Sequence, residues 1–135
     1  MPACVSFNKV SKFYGPHFAV GGFSLDIAPG ETVGLLGPNG AGKSTILYML
    51  SGLVRPTSGS IAVFGKDIRT NFVSVAKRMG TLVERPAFYD YLTVRRNLKI
   101  QASLCGREVN LDRALDMTNM LEYASVRAGT LSQGL

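Results

Sequence analysis

The sequence predicts an α/β fold with a purely helical part at its C-terminal end. Three observations point there. Strand-like and helix-like segments alternate up to about residue 90, and helical patterning alone follows. A glycine-rich stretch, residues 37–45, "GPNGAGKST", sits between a short apolar run and a helical run, where a strand-to-helix loop belongs. Residues 94–105 and 111–122 both show apolar spacing that suits helices packed on one side.

In chain order, residues 5–14, "VSFNKVSKFY", alternate apolar and polar positions through Val5 and Phe7 and then Val10, which predicts a strand. "FAVGGFSLDI" predicts a second strand, ended by the turn pair Pro29-Gly30. "ETVGLLG" contains the apolar core of residues 33–36 and is expected to be a buried parallel strand. Residues 43–51 follow as a helix with Ile46, Leu47, Leu50 and Leu53 at helical spacing, and Gly52 stands where a left-handed C-terminal cap belongs. "GSIAVFG" predicts another strand, residues 71–78 a short helix, and "GTLVE" a further buried strand ending at Glu84. In the last helix Leu111, Ala114, Leu115, Thr118 and Leu121 are expected to share a face, with Asn110 as its N-cap.

Composition narrows the function classes. The chain has 135 residues, one domain's length, and 46% hydrophobic residues, enough for a core. Its apolar runs are a few residues long, far short of the ~20 that cross a bilayer, and the N-terminus lacks the apolar stretch of a secretory signal. A cytosolic location is the default. Cys4 and Cys105 belong to no CxxC or Cys/His cluster, so free thiols are favoured over zinc or a disulfide. The single histidine, His17, follows Pro16 in a turn and is expected at the surface. The net charge of +6 is compatible with nucleic acid or a membrane surface, but the basic residues are scattered and no aromatic platform alternates with them, so no nucleic-acid partner is expected.

The glycine-rich stretch fits G-x-x-x-x-G-K-[ST] through Gly37, Gly42, Lys43 and Ser44, with Pro38, Asn39, Gly40, Ala41 and Thr45 completing it. A nucleoside triphosphate needs many donors at close range. Glycines let backbone N–H groups approach phosphate oxygens without an intervening Cβ, and the following helix N-terminus adds unpaired N–H groups and partial positive charge. Lys43 supplies a full charge to the β- and γ-phosphates, and the Ser44 hydroxyl suits Mg²⁺, a hard cation that prefers oxygen.

With its neighbours, this loop resembles the nucleotide-binding domain of an ATP-binding cassette (ABC) ATPase, along the whole chain and in order. The resemblance implies a P-loop NTPase domain with an N-terminal antiparallel β region, an α/β core over residues 1–90 and the start of a helical subdomain over 91–135. It implies ATP and Mg²⁺ as ligands. Tyr14 in "KFYG" matches the family's adenine-stacking position and Val20 would touch the same ring, although Tyr14 also reads as an amphipathic turn residue. "GTLVERPAFYDYLTVRRNL" resembles the family's Q-loop segment, with Glu84 where glutamine is usual; a carboxylate there can ligate Mg²⁺ or hold the attacking water, and a solvated strand-end charge is the alternative. A similar Glu occurs in subunits for drug, bacitracin or lantibiotic-peptide efflux, so the sequence leans to that branch. "PAFYDY" would lie against the membrane partner. Thr93 can cap the next helix, but Arg96 stands where the family often has Glu, and positive charge in that first turn opposes the helix dipole by roughly 0.3–1 kcal/mol per exposed charge. Arg95, Arg96 and Lys99 are either solvated or one basic face for an acidic partner or lipid headgroups.

"LSQGL" is similar to the family signature LSGGQ. By that resemblance Ser132, Gln133 and Gly134 face the ATP of an opposite subunit, with Gln133 and Leu135 as departures. The family's next elements, the Walker B strand with its acidic pair, the D-loop and a switch histidine, do not follow within these residues. The chain is therefore expected to be the front part of an ATPase, marginally stable and aggregation-prone when isolated. The resemblance implies an ATP-hydrolysing subunit on the inner face of the cell membrane, partnered by a transmembrane permease and a second ATP-binding subunit. An ATP-binding module without hydrolysis and a soluble ABC ATPase are the alternatives.

Overall fold

The computed structural model describes residues 3–83, 88–105 and 108–132. They form two compact units, Met1–Glu84 and Arg85–Leu135.

The first unit is built on a four-stranded antiparallel sheet. β1 (Val5–Tyr14) and β2 (His17–Ile27) form a hairpin in which Tyr14 pairs with His17 across the Gly15-Pro16 turn. β3 (Ser58–Val63) pairs with the other edge of β1, and β4 (Lys66–Asp67) closes the order β2-β1-β3-β4. The antiparallel region implied by the resemblance is thus present. The odd spacing of apolar residues in β1 has a structural cause. Phe7 and Val10 are both buried although three residues apart, because the register shifts between them and Lys9 takes a left-handed φ of +46°. The Lys9 N–H there donates to Ser24 Oγ at 2.9 Å.

Two helices cover one face of this sheet. α1 (Lys43–Leu50) buries Ile46 and Met49, and α2 (Ile68–Ala76) buries Ile68 and Val75, against Phe7, Val10, Ile61 and Val63 of the sheet. Phe23 meets Phe7 edge-on, ring centroids 5.2 Å apart. α1 ends as expected, with Gly52 in a left-handed conformation and its N–H donating to the Met49 carbonyl at 3.2 Å. α2 begins before residue 71, because the Asp67 carboxylate accepts from the Arg69 N–H at 2.7 Å and caps a first turn there; Asn71, with non-helical φ −122° and ψ 23°, kinks it where the expected helix begins.

Among the described residues, two expected strands are absent. Residues 31–37 and 80–83 form no strand, and Leu36 is 95% exposed and Leu82 71%. An apolar run supplies side chains for a buried strand, but a strand exists only through a ladder partner, and the described sheet places none beside these segments.

In the second unit α3 (Val94–Cys105) spans the expected residues, and Thr93 Oγ1 accepts from the Arg96 N–H at 3.3 Å. Asn110 caps α4 (Leu111–Met117), its side chain accepting from the Arg113 N–H at 3.0 Å. α4 is shorter than residues 111–122. Asn119 turns left-handed, the Met120 N–H returns to the Leu115 carbonyl at 2.8 Å, and Leu121–Tyr123 continues only as a 3₁₀ turn. Leu115 is buried, while Leu121 leaves the expected apolar face and is exposed. A second 3₁₀ turn, Ala128–Thr130, leads to Ser132.

Candidate nucleotide-binding site

The phosphate-loop motif folds as a compact turn entering α1. The Ala41 N–H donates to the Pro38 carbonyl at 3.2 Å, and the Ile46 N–H makes the first intrahelical bond, to the Gly42 carbonyl at 2.9 Å. The N–H groups of Lys43, Ser44 and Thr45 therefore have no acceptor within α1. No side chain caps this end and no acidic residue occupies the first turn, so its positive potential is not offset locally.

Gly42 anchors the loop to the sheet. Its φ is +86°, and a Cβ built there would stand 2.6 Å from the Ala19 carbonyl oxygen and 2.8 Å from Val20 Cγ2. Gly40 has nearly the same φ, +85°, but a Cβ there would meet nothing within 4 Å. One glycine thus seats the loop on β2, and the other faces open space where an anion has access.

The Lys43 ammonium bends back over the loop and donates to the carbonyls of Gly37 and Pro38, each at 2.7 Å. Among the described residues it has no acidic partner, so its charge is available for phosphate. Gly37, Pro38, Asn39, Gly40, Ala41 and Ser44 are exposed, and Thr45 is half-buried. These features fit a phosphate group. They also fit Mg²⁺ as a companion of the phosphates: the exposed Ser44 hydroxyl is a suitable oxygen ligand, and the described residues contain no cluster of three or more His, Cys, Asp or Glu to hold a metal by themselves.

A scan against family models matches residues 20–135 to the ABC transporter family. The chain belongs to that family. It is 34% identical to the bacitracin transport ATP-binding protein BcrA of Bacillus licheniformis, over 100% of this chain and 45% of that protein. It is 36% identical to the Nod factor export ATP-binding protein I of Burkholderia pseudomallei, over 98% of this chain and 45% of that protein. The chain thus spans a little under half the length of these bacterial relatives. A solved structure of an ABC transporter ATP-binding protein from Pyrococcus furiosus superposes with a TM-score of 0.79 at 29% identity, over 96% of this chain and 64% of that one. The structure of cbiO1 from Clostridium perfringens, part of the complex cbiONQ, superposes with a TM-score of 0.84 at 22% identity, over 99% of this chain and 57% of that one, and supports the ABC fold.

Tyr14 is 44% exposed at the end of the β1–β2 hairpin, with Lys12 Nζ 4.8 Å from its ring centroid. Val20 is only 6% exposed and packs in the core beneath Gly42, behind the loop. Ser132 is exposed. Glu84, Gln133 and Gly134 lie outside the described residues.

The single basic face of Arg95, Arg96 and Lys99 does not form. Arg95 pairs with Asp112 of α4, whereas Arg96 and Lys99 border a shallow, mainly apolar recess with Leu92 and Ile100. Cys4 is a free, half-buried thiol and His17 is exposed, both as expected. Asn97 is a buried polar residue of α3 that the sequence pattern does not single out. Its signal was an asparagine inside a helix, where that residue type is a poor former.

Proposed function

We propose that this chain is the ATP-holding part of an ABC transporter ATP-binding subunit. The supporting observation is the phosphate loop: an uncapped helix N-terminus, a glycine open to solvent and a lysine ammonium held over the loop by two backbone carbonyls, with no acidic partner among the described residues. Lys43 exchanges its two carbonyl contacts for β- and γ-phosphate oxygens, and the first-turn N–H groups of α1 donate to the same phosphates. Ser44 offers its hydroxyl to Mg²⁺. That ion, when bound, neutralises charge on the phosphate oxygens. Tyr14, reachable from solvent, covers the adenine face.

In the complete protein Glu84 sits near the metal and attacking water, and Ser132, Gln133 and Gly134 contact ATP held by a second ATP-binding subunit. Hydrolysis there drives a transmembrane permease from the inner face of the membrane. The Nod factor relative, an export ATP-binding protein, supports an export role, and the bacitracin relative supports a transport role. No described helix is long and apolar enough to cross a membrane, which is compatible with a peripheral subunit.

The test measures Mg-ATP binding and phosphate release together, for the native chain and Lys43→Ala. Loss of a charge-assisted interaction is expected to weaken binding by about 10–100-fold. Equal ATP affinity for the two chains refutes the proposal. Binding without phosphate release assigns the chain to holding ATP and turnover to the complete protein.

A further inference from the structure

Asn97 is 4% exposed, and its carboxamide has partners for both of its polar atoms. Oδ1 accepts from the Tyr89 N–H at 2.8 Å. Nδ2 donates to the carbonyls of Tyr89 at 3.0 Å, Thr93 at 3.2 Å and Leu92 at 3.4 Å. A helix side chain thus closes both backbone groups of Tyr89 and holds the turn before α3, where the Leu92 N–H also donates to the Tyr89 carbonyl at 3.0 Å. This turn displays Tyr89 and Tyr91, whose rings meet edge-on at 6.0 Å and are both exposed.

The other side of the turn is bonded to the segment that leads to Ser132. The Ala128 N–H donates to the Leu92 carbonyl at 2.9 Å, and the Gly129 N–H to the Asp90 carbonyl at 3.0 Å. Contact is close enough that a Cβ on Gly129 would stand 2.7 Å from Asp90 Cβ. The Leu131 N–H then returns to the Ala128 carbonyl at 3.1 Å, immediately before Ser132.

We infer that Asn97 is a positioning residue: its carboxamide latches the aromatic Tyr89–Leu92 turn, and through Asp90–Gly129 and Leu92–Ala128 it sets the backbone entering Ser132. A displacement of the exposed tyrosines is carried to Ser132 by continuous backbone hydrogen bonds rather than by loose packing. The consequence for ATP rests on the role proposed above for Ser132; the latch does not.

The test is residue-resolved amide hydrogen exchange on the full 135-residue chain without nucleotide, for Asn97→Ala and Asn97→Leu. Leucine fills the buried volume but makes none of the hydrogen bonds, so it separates latching from packing. In both variants exchange at Tyr89, Ala128, Gly129 and Leu131 is expected to rise together by about tenfold. Amides in α4 and in the first unit keep their native rates. The latch is overturned if Asn97→Leu retains native protection, if acceleration stops at Tyr89, or if α4 accelerates equally. Because no nucleotide is present, such a failure leaves the ATP assignment, tested through Lys43→Ala, standing.

Discussion

Alanine at Gly42 separates backbone strain from steric contact when it is compared with alanine at Gly40. Both glycines have φ near +85°, so each replacement costs about 1–2 kcal/mol for a left-handed L-residue. At Gly40 the methyl meets open space and the cost ends there. At Gly42 it meets the Ala19 carbonyl oxygen at 2.6 Å, a backbone atom that cannot rotate away, and the buried Val20 at 2.8 Å. Overpacking of this kind adds about 1–3 kcal/mol, giving roughly 2–5 kcal/mol for Gly42→Ala against about 1–2 for Gly40→Ala. Urea unfolding followed by far-ultraviolet circular dichroism measures the difference. With a slope of about 1–3 kcal/mol/M, the Gly42→Ala midpoint is expected about 1 M below that of Gly40→Ala at unchanged slope. Coincident midpoints would show that the loop does not rest on β2, and the derivation of the site from that contact would fail.

Two helix caps give further predictions. Asp67→Ala is expected to cost about 1 kcal/mol in thermal unfolding. The Arg69 N–H and then the Arg69 side chain hold the Asp67 carboxyl below its ordinary value of 3.8, so its contribution is complete above that value and is lost as pH falls through the lowered one. Asp67→Asn, which caps without titrating, should flatten this part of the acid profile; an unchanged profile contradicts the assignment. Asn110→Ala should cost a similar ~1 kcal/mol and speed amide exchange at Arg113, whereas Asn110→Asp should be neutral or slightly stabilising.

Local signals were legible in the sequence, and those that depend on a distant partner were not. β1, β2, β3, α1 and α3 lie where periodicity and turn chemistry put them, and Gly52, Thr93 and Asn110 cap as expected because a cap is decided within a few residues. Residues 31–37 and 80–83 carry the same apolar signal as a buried strand, but no strand lies beside them in the described sheet. The early end of α4 had a visible cause in Asn119, a residue type that tolerates the left-handed conformation, yet the helical spacing continued through Leu121 and outweighed it.

The site divides in the same way. The phosphate loop is legible because its donors are consecutive: the glycines, Lys43 and Ser44 act through the backbone they share. Val20, an adenine contact by the family resemblance, is also buried beneath Gly42 and helps seat the loop. The basic cluster failed for a geometric reason. Adjacent helix residues are about 100° apart around the axis, so Arg95 and Arg96 cannot point the same way, whereas residues three and four apart can share a side. Arg96, Lys99, Ile100 and Ser103 follow that spacing and line one recess, while Arg95 turns to Asp112. Asn97, the next residue, turns inward to the Tyr89–Leu92 backbone. Three consecutive side chains therefore serve three surroundings: an ion pair with α4, the rim of a recess and a buried latch. A run of charge in sequence marks a shared binding face only where the helical period brings its members together.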